Sequence, residues 1–332
     1  YISMVPNDQY YAPESVGPAE IRWYLSDDET AILSSYQSGE YDFIETFPTD
    51  QIESLVASGD CYILPAVTTY YLYINCDNIP DWRVRAAIAL CIDRDNIVEN
   101  VTQGGQIPAT SLVTGGITDS TGAMWQNGTG YNEIMWAGLK EMYPDYDLDS
   151  YAGRCELAQD LLAEAVEDGF DASITIPYRF NNLGSHGDIA EAVQQDVNSV
   201  LGLNMTMDST EWQVYTSTLD TDRDWSVARL GWQADYLDGS SFLGLFTTGN
   251  AYNYAHWSNP EYDALCAEYA SLPGGVERDQ VMYDAEALLF TEGGFGVCPL
   301  YYYTNFYCLN SDVQNAAMSS LGFFLFNNAT QG

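Results

Sequence analysis

Apolar positions along the chain fall into two periods, alternate residues and every third to fourth residue, which predict strands and helices in mixed order. Residues 21–25 and 41–44 alternate as strands, and 29–38 between them read as a helix closed by Gly39. A short helix is expected near 50–58. The β-branched and aromatic run 69–75 is a strong strand. Residues 83–100 form the clearest helical region, with Val84, Ala87, Ile88 and Cys91 at helical spacing and a second short helix opening at 93–95. Gly104, Gly105, Pro108, Gly115 and Gly116 mark a long loop region. Residues 151–166 place Leu157, Leu161, Leu162 and Ala165 on one helix face, and Gly169 ends it. Beyond it the pattern predicts strands at 173–178, 225–230 and 297–306, and helices at 187–200, 259–270 and 276–290. This is α/β material without internal repeats. A chain of 332 residues is long enough for two domains.

Charge changes the picture more than length does. Lys and Arg total 10 against 48 Asp and Glu, a formal net charge of -38. Nucleic acid and anionic lipid both need clustered cations, so both are excluded as partners. Lys140 is the single lysine. Disorder is a poor reading, because aromatic residues make up 14% and are spread along the chain. No apolar run approaches the roughly 18 residues of a membrane span. No charged segment followed by an apolar one opens the chain, and Tyr1 follows no initiator Met, so a mature form or a fragment is expected. The seven cysteines lack C-x-x-C spacing and sit mostly in apolar runs, which reads as mainly free thiols; one bridge, between Cys298 and Cys308, is left open.

Catalytic chemistry finds little footing. His186 and His256 are the two histidines, and neither a nucleophile elbow, a metalloprotease motif, a phosphate loop nor a dinucleotide fingerprint is present. No catalytic residue, metal ligand or cofactor is therefore assigned, and the chain is not expected to be an enzyme. Asp145, Asp147, Asp149 and Glu156 have the spacing of a calcium loop, but Ser150 stands where the sharp turn needs Gly. The plainer reading is an acidic solvated loop that caps the helix beginning near Tyr151.

Three of the ten cations fall in one stretch, Asp81-Trp82-Arg83-Val84-Arg85-Ala86-Ala87-Ile88-Ala89-Leu90-Cys91-Ile92-Asp93-Arg94. It resembles the D-x-R-V-R-x-A-x-x-x-A-I-D-R signature of the family 5 extracellular solute-binding proteins, the receptors of oligopeptide and dipeptide ABC importers. Further matches keep the family's order. They are Ser38-Gly39-Glu40-Tyr41-Asp42, the aromatic strand Tyr70 to Asn75, and the helix Ala158-x-x-Leu161-Leu162-Ala163-Glu164-Ala165. The most specific runs from Glu211-Trp212 through Val227-Ala228-Arg229-Leu230-Gly231-Trp232-Gln233-Ala234-Asp235-Tyr236 to Phe242-Leu243. Asn253, His256, Tyr262-Asp263 and Pro299-Leu300-Tyr301-Tyr302-Tyr303 follow.

The resemblance implies an α/β fold of the type II periplasmic-binding-protein kind (Venus flytrap). Family members are longer, so one complete lobe and a partial second lobe are expected. Residues 1–67 and 304–332 would belong to the partial first lobe, and 68–303 to the second. The implied cargo is a short peptide held in a cleft between lobes that closes over it. The implied partner is the membrane permease of an ABC importer, with the receptor a monomer outside the cytoplasm, lipid-anchored through an absent N-terminal segment. In the peptide-binding branch the residue matching Asp235 receives the ligand's α-ammonium. Arg229 pairs with Asp235 when the cleft is empty, or meets a ligand carboxylate. Trp232, Gln233, Tyr236, Trp212, Tyr70, Tyr71, Tyr301, Tyr303, Asn253 and His256 complete the expected binding set, although only alternate strand residues can share one face. A nickel chelate, a sugar or another small cation on the same fold, a carboxylate-dependent hydrolase, and a structural surface fragment are the competing readings.

Overall fold

The structure, a computed structural model, describes residues 1–125, 134–319 and 321–332. The chain opens with the paired strands β1 (Ile2–Met4) and β2 (Ile21–Trp23), then α1 (Glu29–Gln37), β3 (Phe43–Ile44) and α2 (Ile52–Ser58). The long strand β4 (Cys61–Ile74) leads to α3 (Trp82–Leu90), α4 (Arg94–Asn96), β5 (Ile107–Pro108) and α5 (Ile134–Met142). Next come α6 (Tyr151–Glu167), β6 (Thr175–Asn181), α7 (His186–Leu201), β7 (Asn204–Thr210), α8 (Trp212–Thr218) and β8 (Val227–Gln233). The short α9 (Ser240–Leu243), then α10 (Pro260–Ser271) and α11 (Val276–Leu288), precede the second long strand, β9 (Val297–Leu309). The hairpin strands β10 (Val313–Gln314), β11 (Ala317–Met318), β12 (Phe324–Leu325) and β13 (Thr330–Gln331) close the chain.

Two compact units divide these elements. Unit 1 comprises Tyr1–Ala66, Gln103–Gly105 and Thr304–Gly332; unit 2 comprises Val67–Thr102 and Gln106–Tyr303. In unit 1, β3 pairs antiparallel with the end of β9 through Phe43↔Leu309 and Ile44↔Cys308. Leu33, Ile44, Phe47, Ile52, Leu55, Cys61 and Cys308 form its buried core. Asp28 caps α1 by accepting from Ala31 N–H, and Gly59, at φ +84°, lets the chain turn out of α2 into β4.

Unit 2 is built on the strand order β9-β4-β8-β6-β7, with β5 added to β9. β4 and β8 are antiparallel, whereas β6 runs parallel to both β8 and β7, which requires the crossover helix α7. The cationic motif explains itself in this core. Asp81 caps α3 and binds Arg83, which also reaches Asp168 at 2.7 Å. Arg85 and Arg94 are each 4% exposed and face carbonyl oxygens instead of carboxylates. Arg85 donates to Gly294 O, Gly293 O, Ile79 O and Pro80 O. Arg94 donates to Pro299 O, Ala89 O, Ile92 O and the Cys298 thiol. The signature thus ties α3 and the turn after it to the approach and start of β9.

Several sequence expectations are adjusted. The 83–100 region breaks after Leu90, because Asp93 caps a new turn by accepting from Asn96 N–H, and 97–102 continues as a wider π-helical turn. Ser150 caps α6 through Gly153 N–H, and Lys140 Nζ lies 2.5 Å from Asp149, so that loop's charge is partly engaged. Among the described residues no three potential ligands converge on a metal position. All seven cysteines are free. Cys298 and Cys308 lie ten residues apart on the single strand β9, about 33 Å at the rise of a strand. That distance excludes a bridge between them. No helix among the described residues is long and apolar enough to cross a membrane.

Glu286 carries a pH prediction. It is completely buried, accepts from Leu112 N–H, Val113 N–H and the Trp125 indole, and burial pushes its carboxyl up to about 7. The folded state therefore holds a proton that the unfolded chain releases near 4.5. This contribution to stability is complete below about 4.5 and is lost as pH rises through 7. Urea denaturation from pH 6 to 8 is expected to show a steeper loss of stability in the wild type than in Glu286→Gln. Equal slopes would exclude the buried proton.

Candidate functional site

Register on β4 and β8 decides which aromatic side chains meet. Tyr70 lies opposite Gly231, and Leu72 opposite Arg229. Alternation then sends Tyr70 to one face and Tyr71 to the other. On the Tyr70 face, Tyr301 stacks at 4.8 Å and 22°, and Tyr303 lies 6.0 Å away. Gly231 makes room for this: a Cβ there would meet the Tyr303 ring at 3.4 Å and Thr69 O at 3.3 Å.

Arg229 enters the same group. It is 6% exposed, and its guanidinium lies 5.2 Å from the Tyr70 ring and 5.8 Å from the Trp212 ring. Its Nη2 donates to His186 Nε2 at 2.7 Å, and among the described residues no carboxylate pairs with it. An arginine only donates, so His186 must accept at Nε2 and carry its proton on Nδ1. Burial, then the Arg229 charge, push the His186 imidazole down to about 4, which keeps it neutral at pH 7. His186 Nδ1 and Arg229 Nε are both buried donors without a partner. The Tyr70 and Tyr178 hydroxyls, also buried, lie beside each other without a well-formed hydrogen bond. Tyr215 holds the strand here by donating its hydroxyl to Arg229 O. The result is a cationic, donor-rich spot in a strongly anionic protein.

Asp235 stands just past the end of β8. It is exposed, its N–H donates to Ser241 Oγ at 2.9 Å, and its carboxylate makes no hydrogen bond to a described residue. The turn that carries it is held from below. Asp238 binds Arg278 of α11 through both carboxylate oxygens at 2.7 and 2.9 Å and caps Ser240 N–H. Gly239 lies against Trp125, where a Cβ would come within 2.8 Å of the ring. Tyr236 is exposed, its hydroxyl 3.3 Å from Ser240 Oγ. Gln233 is exposed at the end of β8, opposite Thr68.

Other expected residues stand elsewhere. Arg229 and Asp235 form no ion pair, since Arg229 is turned into the tyrosine cluster. Trp232, three residues beyond Arg229, projects from the opposite strand face; its ring meets Tyr252 at 5.1 Å, and its buried indole N–H has no partner. Tyr71 bonds Tyr73 and packs on Phe246. Asn253 is a loop clip, donating its amide to Phe246 O, Thr247 O and Trp257 O. His256 lies in a separate exposed cluster with Asp77 and Asp220, at 3.0 and 3.4 Å, beside Arg223. Trp212, at the start of α8, is 39% exposed and stacks on Tyr215. His186, Tyr178 and Tyr215 join the cluster although sequence reasoning did not select them. One signal was available: His186 is one of two histidines and follows the Asn-Asn-Leu-Gly-Ser turn that opens a helix.

Known proteins share this arrangement of elements. The family model of the bacterial extracellular solute-binding proteins, family 5 (middle), matches residues 1–254. The oligopeptide-binding protein of Bacillus subtilis is 26% identical, over 99% of this chain and 58% of its own. The periplasmic oligopeptide-binding protein of Salmonella typhimurium is 30% identical, over 90% of this chain and 52% of its own. The chain thus spans about half the length of the curated relatives it matches. Among solved structures, the peptide-bound oligopeptide-binding protein of Listeria monocytogenes superposes with a TM-score of 0.78 at 21% identity, over 99% of this chain and 61% of that one. The fold is accordingly the α/β type II fold of substrate-binding proteins, and the chain belongs to the bacterial extracellular solute-binding proteins, family 5.

Proposed function

We propose that this chain is part of the extracytoplasmic receptor of an ABC importer and that it takes short peptides with free termini. The exposed, unpaired Asp235 receives the α-ammonium, and the Arg229–His186 pair receives a carboxylate of the ligand. The observation that carries this reading is Arg229 itself. A buried guanidinium is costly unless its donors are met, and Arg229 has neither a carboxylate nor the set of carbonyl acceptors that satisfies Arg85 and Arg94. Here 48 acids are available and none is placed against it among the described residues. The relatives support the cargo class, since two of them are by name oligopeptide-binding proteins. The negative charge of the chain adds a general preference for cationic cargo.

Calorimetric titration with Ala-Lys-Ala and its N-acetylated form tests the ammonium end. Acetylation and Asp235→Ala are each expected to weaken binding by about tenfold or more, the loss of a charge-assisted hydrogen bond of roughly 1.5–3 kcal/mol. The two losses should not add, because both remove the same contact. Full additivity, or equal binding of the acetylated peptide, would remove Asp235 from the site.

A further inference from the structure

Unit 1 contains a pair of thiols that the peptide reading does not use. Cys61 is the first residue of β4, Cys308 is the penultimate residue of β9, and these strands are sheet neighbours. The residues next to them, Tyr62 and Tyr307, stack their rings at 5.2 Å and 22°, and further along the same strands Tyr70 stacks on Tyr301, so the two strands run in opposite directions. Both cysteines belong to the same buried core, at 5% and 0% exposure, and each thiol lies close enough to perturb the other. Residues facing each other on antiparallel strands have Cα atoms about 4.5–5.5 Å apart, inside the span that a disulfide bridges.

Of the other five thiols, Cys91 also has Cys155 and Cys298 in its surroundings, but the five bond to or lie against other groups. Arg94 donates to Cys298; Cys91 and Cys76 donate to the carbonyls of Ile88 and Ile74; Cys155 and Cys266 lie against Tyr151 and Tyr269. We propose that Cys61 and Cys308 are a cross-strand dithiol that closes to a disulfide by exchange with a low-molecular-weight disulfide. Cys61, the more exposed of the two, attacks one sulfur of the small disulfide as the thiolate and expels a first small thiolate. Cys308 then attacks the Cys61 sulfur of the mixed disulfide and expels the second. The two protons lost by the cysteines end on the two released thiols, and the two electrons reduce the small disulfide. Burial holds both thiols above the usual thiol range, so exchange is slow in the folded state. The closed form staples β4 to β9 within unit 1. The inference rests on the geometry of unit 1 and is independent of which ligand the protein takes.

The test uses the wild-type chain, equilibrated overnight at pH 8 with glutathione disulfide, quenched in acid, then alkylated in guanidinium with N-ethylmaleimide. Intact mass is expected to show two fewer adducts than the dithiothreitol-treated protein, and peptic mapping a single linked peptide pair carrying Cys61 and Cys308. Cys308→Ala, which lacks the resolving thiol, should stop at the mixed disulfide, with one adduct fewer after glutathione disulfide, one glutathione added to Cys61 and no linked peptide pair. A full set of adducts on the treated wild type, or a link between any other pair, would overturn the proposal.

Discussion

Arg229→Met is expected to weaken binding of Ala-Lys-Ala by about 10- to 100-fold while leaving the melting temperature unchanged or raised. The binding loss follows from removing a charge-assisted contact worth roughly 1.5–3 kcal/mol. The stability gain follows from the same residue seen from the empty protein. Its guanidinium is buried against Tyr70 and His186 with no carboxylate partner among the described residues; even a buried ion pair is often replaced by apolar side chains of similar volume at no cost or with a gain of about 1–4 kcal/mol, and this charge lacks the pair. A residue retained for stability would behave in the opposite way. Arg229→Lys should keep part of the affinity, because the charge stays while the forked geometry goes. C-terminal amidation of the peptide should cost the wild type as much as Arg229→Met does, and cost the variant little further. If calorimetry gives equal affinities for wild type and Arg229→Met, the carboxylate end of the site lies elsewhere.

The second large effect is structural. Arg85→Met is expected to destabilise the protein by about 3–5 kcal/mol, read as a lower urea midpoint. The reason is the count of groups stranded by the change. Gly293 O, Gly294 O, Ile79 O and Pro80 O all accept from this one guanidinium, and each buried acceptor left unpaired costs about 1–3 kcal/mol before relaxation. Arg94→Met should be of similar size, since Pro299 O, Ala89 O and Ile92 O lose their donor and the Trp136 ring loses its cation. Arg83→Met should cost much less, because both of its carboxylate partners, Asp81 and Asp168, keep access to water. The three arginines of one motif would then separate into two clamps and a surface pair.

That separation shows how far sequence could be read. The stretch 81–94 was legible as a motif, and β4 and α6 were legible from strong period-two and helical patterns. Which arginines are buried was not legible, since depth is set by α6 and the approach to β9, far away in sequence. Strand β7 was missed because it buries little besides Met205 and so lacks the alternation of a half-buried strand. Helix α5 was missed because it is short, nine residues. At the candidate site, Asp235 and Arg229 stood out by motif, whereas the partner of Arg229 did not. His186 reaches it across 43 residues, and its neutral state is a product of burial that no local pattern encodes. Tyr70 and Tyr71 are adjacent and chemically identical, so only the phase of the strand tells which one joins the cluster. Asn253 and His256 looked alike as polar residues in one loop, yet one satisfies buried carbonyls and the other sits in the open with Asp77 and Asp220.

The way unit 2 is threaded has a consequence for biosynthesis. Its residues, 67–102 and 106–303, form a nearly unbroken stretch, while unit 1 is assembled from both ends of the chain. A ribosome therefore releases α1, β3 and α2 long before Thr304–Leu309, the strand segment that closes over them, has been made. Until then Leu33, Ile44, Phe47, Ile52 and Leu55 lack the Cys308 side of their core. Unit 2 can acquire its sheet as soon as β9 begins to emerge, and unit 1 must wait for Thr304–Gly332. The segment that carries Leu33 to Leu55 thus spends the time between its own synthesis and that of β9 with one side of its apolar core uncovered.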